Sequence, residues 1–199
     1  MRIAVQTKEI REAILDATDI LLARYGYKKM TIDDLAQEVG IGKGSIYLHF
    51  PSKEEIVLSH IDRIIERLKG ELENISKKNL SPEEKLKRMI LARVLVRFDS
   101  VQHYTQSLND LLSALRAKLL ARRKTYFSEE AQILASVIEE GQKQNIFSNG
   151  NSLELAGTFL LATNSLLPYS LSVKELGERH DIEKKTKRLA NLLVKGILQ

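Results

Sequence analysis

The sequence predicts an all-α protein of about nine helices, and three observations support this. Leu, Ala, Glu, Lys and Arg dominate the 199 residues, and all five favour helices. Only three prolines and ten glycines interrupt the chain, which favours long regular elements over loops. Val and Ile do not alternate with polar residues as they do in strands. We therefore expect helices packed around a well-buried core.

The composition limits the classes of function. There is no cysteine, which excludes a disulfide framework and a thiolate metal site. The first residues contain no apolar leader, and no apolar run approaches the length of a membrane span. We expect a soluble cytoplasmic protein without a membrane partner. The net charge of +5 and the pI of about 9.3 suit an anionic partner.

The first two helices are predicted by periodicity and capping. Residues 8–24 carry an apolar stripe at helical spacing, and Gly26 follows as a C-cap. Thr31 is an N-cap candidate with Asp34 three residues on, a carboxylate version of the capping box. The pattern predicts a short amphipathic helix over 32–39.

A third helix follows after a tight turn. Gly40 ends the second helix, and only two further residues precede a helix predicted over 43–49. The dipeptide at 51–52 breaks that helix and caps a fourth. Two short helices joined by a glycine-containing turn indicate a helix-turn-helix, whose second helix enters the DNA major groove. We predict a DNA-binding domain over residues 1–53.

An alternative hypothesis is that the glycines of this turn form a loop that binds the phosphates of a nucleotide. A P-loop requires a glycine where this chain has Gln37, and Ser45 comes one residue too late. The spacing therefore argues against a P-loop.

The sequence contains few other patterns typical of enzymes. Acidic pairs such as Glu129-Glu130 are sequence neighbours and are interpreted as solvated faces, and the four histidines are scattered. We expect no enzyme activity, no metal and no cofactor.

The basic character is local. Residues 1–53 carry eight Lys and Arg against seven Asp and Glu, so this part of the chain is nearly neutral. Between Val39 and Ser52 there is no acid, and Lys43 and Lys53 bracket the segment. The acid-free stretch coincides with the predicted second helix of the helix-turn-helix, where a phosphate backbone would lie.

The stretch "MTIDDLAQEVGIGKGSIYLHFPSKEEI" resembles the DNA-binding signature of the tetracycline-repressor (TetR) family of bacterial transcriptional regulators. The resemblance implies that the helix over 43–49 reads bases and that neighbouring residues contact the DNA backbone. The residues implied in DNA binding are Thr31, Gly42, Lys43, Gly44, Ser45, Tyr47, His49 and Lys53.

Two features depart from the family pattern. Gly42 stands where the family usually has Ser or Thr as the cap of the recognition helix. Glycine is a tolerable cap, but it offers no side chain to a phosphate. The recognition helix also lacks arginine, so base reading must depend on Lys43, Ser45 or Tyr47.

Residues 54–199 are predicted to form a helical effector-binding and dimerisation domain, as the resemblance implies. We expect one helix over 82–98, a short one over 103–111, and another reaching residue 144 with a break near 127–128. A helix over 153–173 interrupted by a proline, and a last one over 182–198, complete the domain.

The fifth helix contains a clue to the effector. Arg93 and Arg97 fall among apolar residues of a helix that is apolar nearly all round, so a buried cation there would need a partner. One hypothesis is that they bind the anionic head of an effector with an apolar tail. The alternative is that both reach solvent or pair with acids. Further candidates for the pocket are His103, Tyr104, Tyr126 and Asn164.

The last two predicted helices are apolar on two sides. A second buried surface suggests a homodimer formed through these helices, as in the family. A twofold dimer would place two recognition helices about 34–36 Å apart, on a palindromic double-stranded operator. We predict a ligand-responsive repressor. The alternative is a DNA-binding protein of the same fold that is regulated by a protein partner.

Overall fold

The computed structural model describes residues 2–103, 105–168 and 177–199, and these residues form eight α-helices. The helices are α1 Arg2–Lys29, α2 Ile32–Val39, α3 Lys43–His49, α4 Lys53–Ser76, α5 Pro82–Val101, α6 Thr105–Lys143, α7 Ser152–Thr163 and α8 Arg179–Lys195. The all-α prediction is confirmed. None of the described helices combines the length and apolarity that crossing a membrane requires.

The chain divides into two compact units. The first contains residues 1–63 and 103–119, and the second contains residues 64–102 and 120–199. Helices α4 and α6 therefore contribute residues to both. The domain boundary expected at residue 53 falls inside the first unit.

The first unit is built around α1. Gly26 leaves helical geometry at φ 72° and ψ 169°, so regular helix stops just before it, at the position where the sequence predicts a cap. The preceding apolar stripe is buried against the short helices that follow. The fully buried side chains of the first unit include Ile14, Leu21, Leu22, Leu35, Ile46, Phe50 and Ile56.

The second unit is centred on α5, which packs closely against α8 and α7. Buried side chains lie on several sides of α5, as expected for a helix that is apolar nearly all round. The buried side chains of α5 include Leu86, Met89, Ile90, Val94 and Phe98.

Helix α6 corrects the prediction of two or more helices between residues 103 and 144. It runs without interruption over Thr105–Lys143. The predicted break near 127–128 is absent because the segment contains no proline and its one glycine, Gly141, lies in the last turn. Polar residues alone do not end a helix that tertiary contacts stabilise.

Helix α7 is shorter than the helix predicted over 153–173. It ends at Thr163 and is followed by a 3-10 turn, Asn164–Leu166. Leu167 adopts an extended conformation, φ −87° and ψ 148°, because a residue before proline is disfavoured in the helical region. Helix α7 therefore ends before Pro168. Residues 169–173 of the predicted helix lie outside the described part of the chain.

The end of the chain closes the second unit beside α6. The amide of Ser148 donates to the Ile197 carbonyl at 2.8 Å, and the Gln199 amide donates to the Ile146 carbonyl at 3.2 Å. Phe147 lies between these bonds, fully buried. Two backbone hydrogen bonds thus fix the chain after α8 to the turn that follows α6.

Candidate nucleic-acid interface

Thr31 begins α2 with a reciprocal capping box. Its Oγ1 accepts from the Asp34 amide at 3.1 Å, while Asp34 Oδ2 accepts from the Thr31 amide at 2.8 Å and from its hydroxyl at 2.7 Å. The hydrogen bonds from the hydroxyl and the amide lower the pKa of the Asp34 carboxyl below its ordinary value. The predicted capping box is confirmed, and it fixes where α2 starts.

The turn between α2 and α3 depends on Gly40. It adopts the left-handed conformation, φ 76° and ψ 32°, and its amide donates to the carbonyls of Ala36 and Gln37 at 3.0 and 3.2 Å. Gly42 has ordinary extended geometry, φ −72° and ψ 148°, and a Cβ there would meet no atom within 4 Å. The fold of the chain therefore requires glycine at position 40 but not at position 42.

Helix α3 packs against the core through one face and exposes the other face to solvent. Ile46 and the C-capping Phe50 are fully buried. Tyr47 is half exposed, and Leu48 is 85% exposed. Gly44 is exposed as well. The helix thus has a rigid apolar anchor and an outward surface with one aromatic and one aliphatic side chain.

Arg11 connects α1 to the end of α3, a role the sequence analysis missed. Its Nη1 donates to the His49 carbonyl at 3.0 Å, its Nη2 donates to Ser59 Oγ at 3.3 Å, and its guanidinium stacks on the Phe50 ring at 4.1 Å from the centroid. The bond to His49 satisfies a carbonyl at the C-terminus of α3. No local signal could have identified Arg11, because its partners are 38 or more residues away.

The two lysines of the acid-free stretch have different surroundings. Lys43 Nζ bonds Asp33 Oδ2 at 2.8 Å in a pair exposed to solvent, so a phosphate could replace that carboxylate at little cost. Lys53 Nζ donates to the carbonyls of Tyr27 and Met30 at 3.0 and 3.1 Å. Lys53 therefore closes the end of α1, and only one of its three donors is left for another acceptor.

Residues 14–59 match the family model of bacterial regulatory proteins of the tetR family, and the match includes α2, the turn and α3. The TetR resemblance drawn from the sequence is confirmed. This segment of the chain is that of a TetR-family transcriptional regulator. Members of this family bind DNA, so the outward surface of α3 is its candidate contact with the major groove.

Several regulators are similar to this chain over most of their length. It is 28% identical over 156 residues to the transcriptional repressor KstR2 of Rhodococcus jostii, covering 77% of this chain and 75% of that protein. It is 25% identical over 191 residues to the fatty acid metabolism regulator protein of Bacillus subtilis, covering 92% and 93%. A solved transcriptional regulator from Cytophaga hutchinsonii matches with a TM-score of 0.78 and 25% identity, covering 94% and 98%. These relatives are transcriptional regulators, not enzymes.

The predicted DNA-binding residues of this regulator all belong to its first unit. They differ in accessibility. Five are exposed, namely Thr31, Gly42, Lys43, Gly44 and Tyr47, and three are half-buried, namely Ser45, His49 and Lys53. The exposed set lies at the start of α2 and along α3, where a nucleic acid can approach without any rearrangement of the core.

The second unit contains a buried ionic cluster at the position of the predicted effector residues. Arg93 Nε donates to Glu130 Oε2 at 2.8 Å, its Nη1 donates to Thr163 Oγ1 at 2.6 Å, and its Nη2 donates to Asn164 Oδ1 at 2.8 Å. Arg97 donates to the other Glu130 oxygen. Both arginines face inward, and the cluster joins α5, α6 and the end of α7.

Glu130 corrects the interpretation of Glu129-Glu130 as a solvated face. Its side chain is only 1% exposed, because Arg93 and Arg97 supply the two cations that a buried carboxylate needs. Adjacent positions on a helix project about 100° apart, so one residue of an acidic pair can be buried while its neighbour reaches solvent. Of the two alternatives for the arginines, pairing with an acid is the one observed.

The other predicted effector residues are spread over both units. Asn164 joins the cluster through Arg93. Tyr126 is half-buried on α6 in the second unit, and His103 is exposed and belongs to the first unit. Tyr104 lies outside the described residues. Of the predicted effector set, the structure thus brings Arg93, Arg97 and Asn164 together.

Proposed function

We propose that this TetR-family protein is a ligand-responsive repressor that binds a palindromic operator as a homodimer and is released by a small apolar or amphipathic effector. The observation that carries the DNA-binding part is α3, buried on one face by Ile46 and Phe50 and exposed, without any acid, on the other. A rigidly held helix with an accessible, acid-free face suits insertion into the major groove.

In this proposal the contacts divide into positioning and reading. Lys43 and the third N–H of Lys53 meet phosphates, as do the amides at Gly42 and Gly44. Thr31 lies near the DNA backbone while its hydroxyl and amide keep their hydrogen bonds to Asp34. The Tyr47 hydroxyl and the exposed end of α3 lie nearest the base edges. Ser45 and His49 are half-buried and support the helix.

The proposed dimer uses α7 and α8. Both helices bury one face inside their own unit, yet Leu153, Leu161 and Leu192 are 50%, 63% and 70% exposed. Apolar side chains left uncovered on two neighbouring helices fit a surface that is buried in a dimer. A second copy related by a twofold axis would cover the same residues on both chains and set the spacing of the two α3 helices.

The proposed effector carries an anionic group for the arginine cluster. Arg93 has Glu130, Thr163 and Asn164 as partners, whereas Arg97 is nearer the surface, 11% exposed against 3% for Arg93. A carboxylate or phosphate that bonds Arg97 would compete with Glu130 and disturb the contact between α5, α6 and α7. A ligand that binds this state better than the operator-binding state shifts the protein off DNA.

A DNA-binding titration tests the proposal. The duplex is the region flanking the protein's own gene, with a scrambled duplex of equal length as control, and the titration is repeated across salt concentrations. Specific binding with a steep salt slope is expected. No specific binding at any salt concentration would defeat the assignment of an operator-binding regulator.

A second measurement tests the effector. Candidate acidic, amphipathic ligands are added to the protein–operator complex, and release is compared between wild type and the Arg93→Ala, Arg97→Ala double variant. Release of wild type with a loss of sensitivity in the variant supports the cluster as the effector site. Regulation by a protein partner is the alternative function, and release by no small molecule would favour it.

A further inference from the structure

Leu48 is the most exposed large apolar side chain among the residues that the structure describes. It is 85% exposed, whereas Ile46, two positions earlier on α3, is fully buried. Two residues on a helix are about 200° apart, so Leu48 points away from the core almost directly opposite its anchor. Gly44 lies one turn before Leu48 on the same side.

The surroundings of Leu48 favour close approach by a ligand. A Cβ on Gly44 would meet no atom within 4 Å, so beside Leu48 the helix offers only open backbone. Lys43 and Tyr47 are both exposed and lie along one side of this line of the helix. The side chain of Leu48 is therefore the one aliphatic group that projects from the part of α3 furthest from the core.

The chemistry of the major groove restricts what such a group can contact. Adenine and guanine present the N7 acceptor there, cytosine presents an amino donor, and thymine presents a C5-methyl group beside its O4 acceptor. A leucine side chain cannot form hydrogen bonds, so pressing it against the polar edges would desolvate them without compensation. Against a thymine methyl it buries apolar surface on both sides.

We infer that Leu48 is a specificity-determining residue that selects thymine at one position in each half-site of the operator. The inference rests on the proposed function, because it requires α3 to enter the major groove. It also accounts for base selection by a helix that contains no arginine, glutamine or asparagine. Selection then comes from the methyl group, while Lys43 and Tyr47 supply polar contacts along one side of Leu48.

Replacement of thymine by deoxyuridine tests this directly, since it removes only the methyl group. The wild-type protein first selects an operator from a pool of random-sequence duplexes. Each thymine of one half-site, and its symmetry mate, is then replaced by deoxyuridine, and binding is measured at constant salt. One position is expected to lose about fourfold in affinity per half-site, the equivalent of one buried methyl group.

The variant Leu48→Ala should bind the thymine and deoxyuridine forms of that operator equally. Because the side chain is exposed, the variant is expected to fold normally, which circular dichroism and the unfolding midpoint verify. Leu120→Ala removes another exposed leucine, outside α3, and should retain the wild-type ratio.

The outcomes separate the inference from the function on which it rests. If the wild type selects no operator, the proposed function fails. If it selects one but tolerates deoxyuridine everywhere, or if Leu48→Ala keeps the wild-type ratio at the sensitive position, operator binding stands and the role of Leu48 is wrong.

Discussion

Arg93 and Glu130 form a buried ion pair between α5 and α6, with the Arg93 Nε to Glu130 Oε2 distance at 2.8 Å and side-chain exposures of 3% and 1%. The other carboxylate oxygen accepts from Arg97. The pair joins residues 37 positions apart in sequence, and further bonds from Arg93 reach the end of α7. Such a pair holds helices in one arrangement, and its integrity matters more than its net contribution to stability.

Neutralising Glu130 should destabilise the protein strongly. Glu130→Gln leaves two inward-facing guanidinium groups without their carboxylate, and we expect a loss of about 3–5 kcal/mol in the free energy of unfolding. Urea denaturation followed by circular dichroism measures this. Glu129→Gln is the matched control, because Glu129 is 38% exposed and pairs with Lys69 at 3.0 Å. The control should cost no more than about 1 kcal/mol; similar losses in both variants would contradict the role of the buried cluster.

Replacing Gly141 by alanine should destabilise the second unit. A Cβ at Gly141 would lie 2.1 Å from Cδ2 of the fully buried Phe147, so the ring must move or the helix must shift. Overpacking of this kind costs about 1–3 kcal/mol, more than the helix propensity gained from alanine.

Gly70 provides the control for Gly141. It lies within α4, and a Cβ there would meet no atom within 4 Å. Gly70→Ala should therefore stabilise the protein by about 0.5–1 kcal/mol. Urea unfolding of both variants measures the change in the free energy of unfolding, which should have opposite signs in the two. A stabilised Gly141→Ala variant would mean that Phe147 has space to relax.

The sequence predicted the features that depend on near neighbours. The Thr31–Asp34 capping box, the turn at Gly40 and the short helix over 43–49 are all present where periodicity and capping placed them. Each is set by residues within a few positions of one another, which is where sequence patterns carry information.

What the sequence did not predict depends on distant contacts. Burial of Glu130 requires arginines more than thirty positions away, and Arg11 finds the end of α3 across 38 residues. The continuity of α6 was missed for a related reason, since its polar residues were read without the packing that stabilises them. The candidate site was predicted as a set of residues, but the residue that positions its helix was not.

Substituting Gly42 by serine should strengthen DNA binding. The position has the extended geometry of an N-cap, and space for a side chain is open, but no side-chain cap is present. A serine hydroxyl can cap α3, which adds a few tenths of a kcal/mol to stability, or can donate to a phosphate. We expect operator affinity to rise by roughly three- to tenfold. Gly42→Ala is the control, and an equal gain in both variants would show that the hydroxyl is not responsible.

The capping box of α2 should respond to acid in a defined direction. Hydrogen bonds from Thr31 lower the pKa of Asp34 from its ordinary value of 3.8, so the ionised carboxylate favours the folded state. The contribution is fully present above that ordinary value and is lost as the pH falls through the lowered one. Carboxyl-carbon NMR titration should give a higher Asp34 pKa in Thr31→Val than in wild type or Thr31→Ser. An identical midpoint in all three proteins would exclude Thr31 as the cause.

Substitutions of Arg11 and Lys43 should weaken operator binding in different ways. Lys43→Ala removes a cation that can reach a phosphate, so the salt slope of binding should fall by about one. Arg11→Lys keeps the charge, but an ammonium group cannot bond the His49 carbonyl and Ser59 while stacking on Phe50. Its operator affinity should fall while the salt slope of binding stays unchanged, because α3 is less firmly held while the phosphate contacts remain.

The two variants are compared by titration on one operator at several salt concentrations. A reduced slope for Arg11→Lys would mean that Arg11 itself contacts DNA, and an unchanged affinity would mean that α3 does not need this connection to α1.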